Sequence, residues 1–242
     1  MLQIKHLTKQ YDSQKGVFDL SLEIKPGDLY AFIGHNGAGK TTTLKCLAGI
    51  HDFNEGEIIL DGLSIKDDPL AFKKKIAYIP DNPDIYEFLS GMQYLNLICD
   101  IYAIDTATRK ERIIDLSEKF GLTQALNQLV SSYSHGMKQK LAIISALVHQ
   151  PRLMVLDEPF VGLDPKATII LKDIMRKICK EGGAIFFSTH VLDVAERLCN
   201  KVAIIKDGSL VTSGNMEELI KQGKSLETIF MEVIKENNAN AN

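Results

Sequence analysis

The sequence predicts an α/β fold, a mixed sheet organised around a phosphate-binding strand-loop-helix unit, with an antiparallel β subdomain and an inserted helical lobe. Three observations carry it. Gly34-His35-Asn36-Gly37-Ala38-Gly39-Lys40-Thr41-Thr42 matches G-x-x-x-x-G-K-[ST], following the apolar run Leu29 to Ile33 and preceding a helix start at Thr43-Leu44-Lys45-Cys46-Leu47. Phe18, Leu20, Leu22 and Ile24 alternate with Asp19, Ser21, Glu23 and Lys25, the period of a sheet with one wet face. From about Leu89 to Val148 that period gives way to helical spacing, in Tyr94, Leu97, Ile98 and Ile101 and then in Ile113, Leu116 and Phe120.

Taken in order, a first strand begins at Leu2-Gln3-Ile4, and the alternating strand ends at the turn Pro26-Gly27-Asp28. The phosphate-loop helix closes at Gly49, and Glu57 to Gly62 adds another short strand. The pattern changes after Ile76-Ala77-Tyr78-Ile79, where Pro80 and Pro83 bracket Asp81-Asn82. Sheet character resumes in Leu153-Met154-Val155-Leu156, short enough to be a buried parallel strand, and again in Ala184-Ile185-Phe186-Phe187. Between them Asp164-Pro165 is an N-cap with a first-turn proline, starting a helix that runs to about Lys180. Val202 to Ile205 and Leu210 to Thr212 flank Asp207-Gly208 as a hairpin, and Leu226, Ile229, Phe230 and Val233 form the packing stripe of a last helix. The expected organisation is one domain over 1–235, with core segments 1–88 and 149–220, a helical subdomain 89–148 and a C-terminal helix 221–235. A disordered tail is expected over 236–242.

At 242 residues and 45% hydrophobic content the chain can bury a substantial core. A formal charge of −3 gives no overall basic field, so nucleic acid is not an expected partner. Cys46, Cys99, Cys179 and Cys199 lie far apart in segments read as apolar helix, which suits buried free thiols of a reducing compartment. Neither a signal peptide nor an apolar run of the ~18–20 residues needed to cross a membrane is read here. If the protein works at a membrane, another polypeptide crosses it.

Each motif has a chemical reason. A polyphosphate needs many converging donors, and Gly34, Gly37 and Gly39 let the backbone curl its N–H groups inward at the positive end of a helix dipole. Lys40 would reach the β- and γ-phosphates, and the Thr41 hydroxyl would ligate Mg²⁺. Asp157-Glu158 places two carboxylates at the carboxyl end of a buried strand, where open α/β sheets bind ligands. There Asp157 would support Mg²⁺, and Glu158 would polarise the water that attacks the γ-phosphate. Ser134-His135-Gly136-Met137 heads an apolar-periodic helix and makes a second anion site from a hydroxyl and free N–H groups. Two phosphate-type sites in one chain invite a sandwich in which two copies share each nucleotide.

The order of these motifs, continued by Gly162-Leu163-Asp164 and by His190 after a strand, resembles the nucleotide-binding subunit of ABC transporters over about residues 2–235. In detail it looks most like the separate ATPase subunits of ABC-2-type exporters. That resemblance implies an ABC-type P-loop NTPase fold, ATP and Mg²⁺ as ligands, and ATP hydrolysis. It also implies a second nucleotide-binding subunit, separate transmembrane permease subunits and a place at the cytoplasmic face of the cell membrane. By motif, Asn36, Ala38, Lys40, Thr41, Thr42 and the loop glycines correspond to the triphosphate cradle, and Asp157 to the magnesium-supporting acid. Glu158 corresponds to the catalytic carboxylate, and His190 to the switch histidine that touches the γ-phosphate. Ser134 and Gly136 would contact nucleotide held by the opposite subunit, Asp164 would organise the dimer seam, and Tyr11 would stack on adenine.

Two departures stand out. The family's Ser-Gly-Gly-Gln reads Ser134-His135-Gly136-Met137 here, with the serine and second glycine kept. Where the family has glutamine after Ile79-Pro80, this chain has Asp81, a carboxylate that repels a triphosphate unless Mg²⁺ intervenes. Asp81 assisting the metal, Asn82 supplying the amide, and Asp81 slowing turnover are all compatible with the sequence. A soluble non-transport ABC ATPase and a weakly catalytic partner in a heterodimer are the alternative functions. The first generally carries two nucleotide domains or a long coiled-coil insertion, and the sequence shows neither.

Overall fold

The computed structural model describes residues 1–12, 15–220 and 225–239, with side chains as far as 232. Its strands are β1 (Leu2–Gln10), β2 (Gly16–Ile24), β3 (Leu29–Ile33), β4 (Glu55–Leu60), β5 (Leu63–Ser64), β6 (Ile76–Ile79), β7 (Leu153–Asp157), β8 (Ala184–Thr189), β9 (Lys201–Lys206) and β10 (Ser209–Asn215). They divide into an antiparallel sheet, β2-β1-β4-β5, and a six-stranded sheet, β10-β9-β3-β8-β7-β6. The larger sheet is parallel except where β10 runs antiparallel to β9.

Period-2 side-chain alternation in the central strands separates two apolar cores, one on each face of the large sheet. Ala31 and Ile33 of β3, Met154 and Leu156 of β7, and Ile185 and Phe187 of β8 face the helices on one side. Tyr30 and Phe32, Leu153 and Val155, and Ala184 and Phe186 face the small sheet and α1 (Lys40–Leu47) on the other. Strands covered on both faces are apolar along most of their length, so β3, β7 and β8 read in the sequence as apolar runs, with polar residues only at the carboxyl ends of β7 and β8.

The regular alternation read for Phe18 to Ile24 does not hold at its start. Asp19 has φ 50°, and the β1–β2 register shifts on either side of Leu7. The irregularity turns Val17 and Leu20 both into the core and leaves Phe18 only partly buried.

The remaining helices are α2 (Pro69–Lys74), α3 (Gly91–Ile101), α4 (Thr106–Lys119), α5 (His135–Leu147), α6 (Pro165–Lys180), α7 (Leu192–Leu198), α8 (Met216–Ile220) and α9 (Leu226–Ala239). α3, α4 and α5, with single 3-10 turns at Thr123–Ala125 and Val130–Ser132, make up the inserted lobe. Arg112 of α4 ties it back, donating to the Val148 carbonyl at 2.7 Å and to Gln150 Oε1 at 2.8 Å just ahead of β7. α2 repeats the Asp-Pro start of α6, with the Asp68 carboxylate accepting the Ala71 N–H at 2.9 Å.

α9 continues past residue 235, so 236–239 are helical where a disordered tail is expected from their polarity; 240–242 lie outside the described residues. Once a helix is nucleated each further residue adds a hydrogen bond, so polar residues propagate it cheaply. The Val233 side chain of the last-helix stripe also lies outside the described residues. Among the described residues no helix is long and apolar enough to cross a membrane. Cys46, Cys99 and Cys199 are buried and Cys179 partly so, all as free thiols.

Candidate active site

β3, β7 and β8 end at the same edge of the sheet, and the turn after each delivers one part of the site. After β3 the chain curls into the phosphate loop and enters α1 through Gly39, which has φ 106°, a conformation that a side chain would strain. Gly39 also offers no side chain to cap the helix. The first-turn N–H groups of α1 have no intrahelical acceptor, an arrangement able to receive an anion.

Lys40 is folded back over the loop, donating to the Gly34 carbonyl at 2.7 Å and to the His35 carbonyl at 3.1 Å. Only 7% of it is exposed. Burial lowers its pKa, and the Glu158 and Asp157 carboxylates oppose that shift. The ammonium is thus the positive member of a charge cluster that already includes two acids.

Asp157, 2% exposed, ends β7 opposite Ser188 of β8. Thr41 donates its hydroxyl to Asp157 Oδ2 at 2.6 Å, Ser188 donates to Oδ1, and Ser188 Oγ accepts the Glu158 N–H at 3.1 Å. Glu158 has φ 47°, a left-handed conformation unfavourable for a side-chain-bearing residue. Its carboxylate meets His190 Nδ1 at 2.9 Å, with the His190 side chain 60% exposed and that of Glu158 17%.

A cleft of about 630 Å³ collects Tyr11, Asn36, Gly37, Gly39, Lys40, Thr41 and Thr42 with Asp81, Asp157 and Glu158. Tyr11 projects at its mouth, with Lys9 over the ring at 5.3 Å and His51 edge-on at 6.2 Å. Gly34 and His190 line an adjoining hollow with Asn36. Ala38 turns its methyl into the small-sheet core, and its carbonyl accepts the Gly208 N–H at 3.0 Å. It has only backbone to offer a nucleotide.

Ser134, Gly136 and Asp164 do not line this cleft. Ser134 caps α5, accepting the Met137 N–H at 3.3 Å. A Cβ on Gly136 would fall 2.8 Å from the Gly162 carbonyl, and one on Gly162 would fall 2.6 Å from the His135 ring, so the α5 tip and the turn before α6 are locked together. Asp164 caps α6 through Ala167 N–H at 2.8 Å and pairs with Lys140 of α5 at 2.5 Å. It is not among the residues that line the cleft, and its carboxylate joins the two helices.

Sequence reasoning missed several residues here. Ser188, which satisfies Asp157 and Glu158 together, is signalled only by a hydroxyl ending an otherwise apolar strand. Lys15, Gly16, Asp207 and Gly208 also line the cleft, and His35 Nε2 meets Asp207 Oδ1 at 3.3 Å. Those residues reach it through β2 and the β9–β10 turn, a proximity that no local pattern announces.

The geometry can be set against known proteins. The family model described as ABC transporter matches residues 17–161. The ABC-type transporter ATP-binding protein EcsA of Bacillus subtilis is 34% identical over 98% of this chain and 97% of its own length. The bacitracin transport ATP-binding protein BcrA of Bacillus licheniformis is 36% identical over 90% of this chain and 71% of its own. A solved ATP-binding subunit of an ABC transporter superposes with TM-score 0.92 at 34% identity, covering 97% of this chain and all of that one.

Proposed function

The chain belongs to the ABC transporter family as an ATP-binding subunit, an ATPase, and from that premise we propose that it works as the motor of an exporter. In this reading two subunits close head to tail over two MgATP and pass closure and reopening to separate membrane-spanning partners at the cytoplasmic face of the membrane. The observation that carries it is a division within one chain. The anion-binding tip of α5, with Ser134 and Gly136, lies outside the cleft that holds Lys40, Asp157 and Glu158. Each nucleotide would then be completed by the tip of a second subunit, so a lone chain should hydrolyse poorly. The likeness to a bacitracin transport subunit supports a transport role.

The site residues take these roles in our reading. Lys40 and the first-turn amides of α1 hold the triphosphate. Tyr11 stacks on the base. Glu158 orients and deprotonates the attacking water, and His190, held against it at 2.9 Å, steadies the γ-phosphate side. Thr41 and Asp157 offer two hard oxygens 2.6 Å apart, a donor set that suits Mg²⁺ shared with substrate phosphates, with Asp81 as a further carboxylate. When bound, the ion would neutralise phosphate charge.

A groove between the sheet and helical lobes, along Asp81 to Phe88, would receive the coupling helix of the membrane partner, and there Tyr86 and Phe88 stand exposed with ring centroids 5.7 Å apart. Charge swaps at Asp81 or Asp84 should uncouple transport before they abolish nucleotide binding. A weakly catalytic partner in a heterodimer is the second reading, favoured only by the Asp81 carboxylate lining the cleft.

The test is Glu158→Gln mixed with MgATP and sized by light scattering, alone and with any related subunit that co-purifies. A nucleotide-dependent dimer is expected. A Glu158→Gln protein that pairs with nothing, or a wild-type monomer that turns over at full rate at every concentration, overturns the proposal.

A further inference from the structure

We propose that the C-terminal helix α9 sets the position of His190, with Phe230 as the positioning residue. This rests on the role given to His190 above. His190 lies between the end of β8 at Thr189 and the start of α7 at Leu192, so the strand fixes its backbone from one side and the placement of α7 from the other. α7 has only seven residues and its N-cap, Val191, makes no side-chain cap bond, so its placement depends on what packs against it.

α9 packs there. The Glu196 carboxylate of α7 accepts the Leu226 N–H at 2.8 Å, serving one of the orphan donors at the α9 N-terminus. Leu226 is fully buried in the large core, and Ser225 Oγ accepts the Thr228 N–H at 3.2 Å. One turn along the same face, at the i+4 position, comes Phe230. It closes a hollow of about 280 Å³ shared with Leu192, His190, Gly34, His35 and Asn36. A residue that the sequence reads as packing therefore shares a hollow with the switch histidine and the phosphate loop. The His190 ring is mostly exposed and reaches Glu158 across 2.9 Å. An apolar wall beside Leu192 limits the directions in which that ring can swing. Phe230 does not line the cleft that holds Lys40, Asp157 and Glu158, so its effect should appear in turnover and not in nucleotide binding.

The experiment is steady-state ATPase kinetics on the full chain carrying Phe230→Ala, with Phe230→Leu as the conservative variant. kcat should fall roughly five- to tenfold with KM unchanged, as expected when a catalytic group is misplaced by a fraction of an ångström. Phe230→Leu should recover most of the loss, and in a His190→Ala background Phe230→Ala should add less than about a twofold further effect. Unchanged kcat in folded Phe230→Ala, a rise in KM with kcat unchanged, or full additivity with His190→Ala overturns the proposal. Should Phe230→Ala fail to fold by circular dichroism, Glu196→Ala, which removes the acceptor of the Leu226 N–H, carries the test: a fall confined to kcat supports the proposal, and wild-type kinetics refute it. Wild-type protein with no ATPase activity at concentrations where the Glu158→Gln protein pairs with MgATP would instead count against the mechanism assigned to His190.

Discussion

Ser188 donates its hydroxyl to Asp157, directly across the β7–β8 pairing. The same oxygen accepts the Glu158 N–H at 3.1 Å, so one side chain fixes two neighbouring acids. Strand register and site geometry are thereby the same fact: a one-residue slip of β8 would turn Ser188 to the other face of the sheet.

Replacing Ser188 by alanine should leave Asp157 Oδ1 and the Glu158 N–H without this partner in a buried setting. The expected loss of stability is about 1–3 kcal/mol by urea denaturation. Because Glu158 is held in an unfavourable backbone conformation, kcat should fall by roughly tenfold or more in protein that is still folded. Equal kcat in Ser188→Ala and wild type would show that Glu158 is positioned by other means.

Asp81 accepts the Asn82 N–H at 2.8 Å while lining the cleft with Asp157 and Glu158. If Asp81 supports magnesium, Asp81→Asn should raise the Mg²⁺ concentration for half-maximal hydrolysis several-fold. Metal-free ATP should bind no more weakly, because a repelling charge has gone. A Mg²⁺ titration of ATPase activity, with calorimetry in EDTA, reads both. An unchanged Mg²⁺ requirement would remove Asp81 from the metal's surroundings.

His149 stacks on Tyr102 with centroids 3.7 Å apart, and its Nε2 lies 3.2 Å from the Ile76 carbonyl. Burial lowers its pKa, more than the Ile76 and Ser145 carbonyls raise it, and Arg112 adds to the depression. Below about pH 6.5 the unfolded chain takes up a proton that the folded protein resists, so stability falls as pH drops from there towards the folded pKa. His149→Phe keeps a stacking ring and removes the titration. It should be about 1 kcal/mol less stable at pH 7.5, through the lost hydrogen bond, and the gap should narrow on acidification. Parallel stability–pH curves for the two proteins would contradict this.

Burial raises the pKa of all four thiols, that of Cys46 and of Cys179 to about 11. Since the thiolate is the reactive form, native protein at pH 8 should resist iodoacetamide at Cys46, Cys99 and Cys199. Any slow labelling should begin at the partly buried Cys179, and denatured protein should label at all four, as read by peptide mass spectrometry. Rapid native labelling of Cys46 or Cys199 would mean that these segments open readily.

Features set by local constraint are legible in the residues alone. A loop that must cradle a polyphosphate needs glycines and a lysine at fixed spacing, so β3, the loop and α1 stand out at once. Asp164-Pro165 announces α6, because capping and a fixed φ act over a single turn. Asp68-Pro69 carries the same signal for α2, a helix that the reading of the sequence does not include. The buried strands β7 and β8 show themselves as apolar runs. Which ends meet is settled by long-range packing and by nothing shorter. Ser188 reaches Asp157 through the pairing of strands 31 residues apart in sequence, Asp207 and Gly208 reach the cleft around a hairpin, and Phe230 comes to His190 through a helix packed from the far end of the chain. Side-chain period and capping depend on neighbours along the chain. Proximity between such distant residues depends on the burial of two apolar cores on opposite faces of one sheet, and no short window of sequence contains that information.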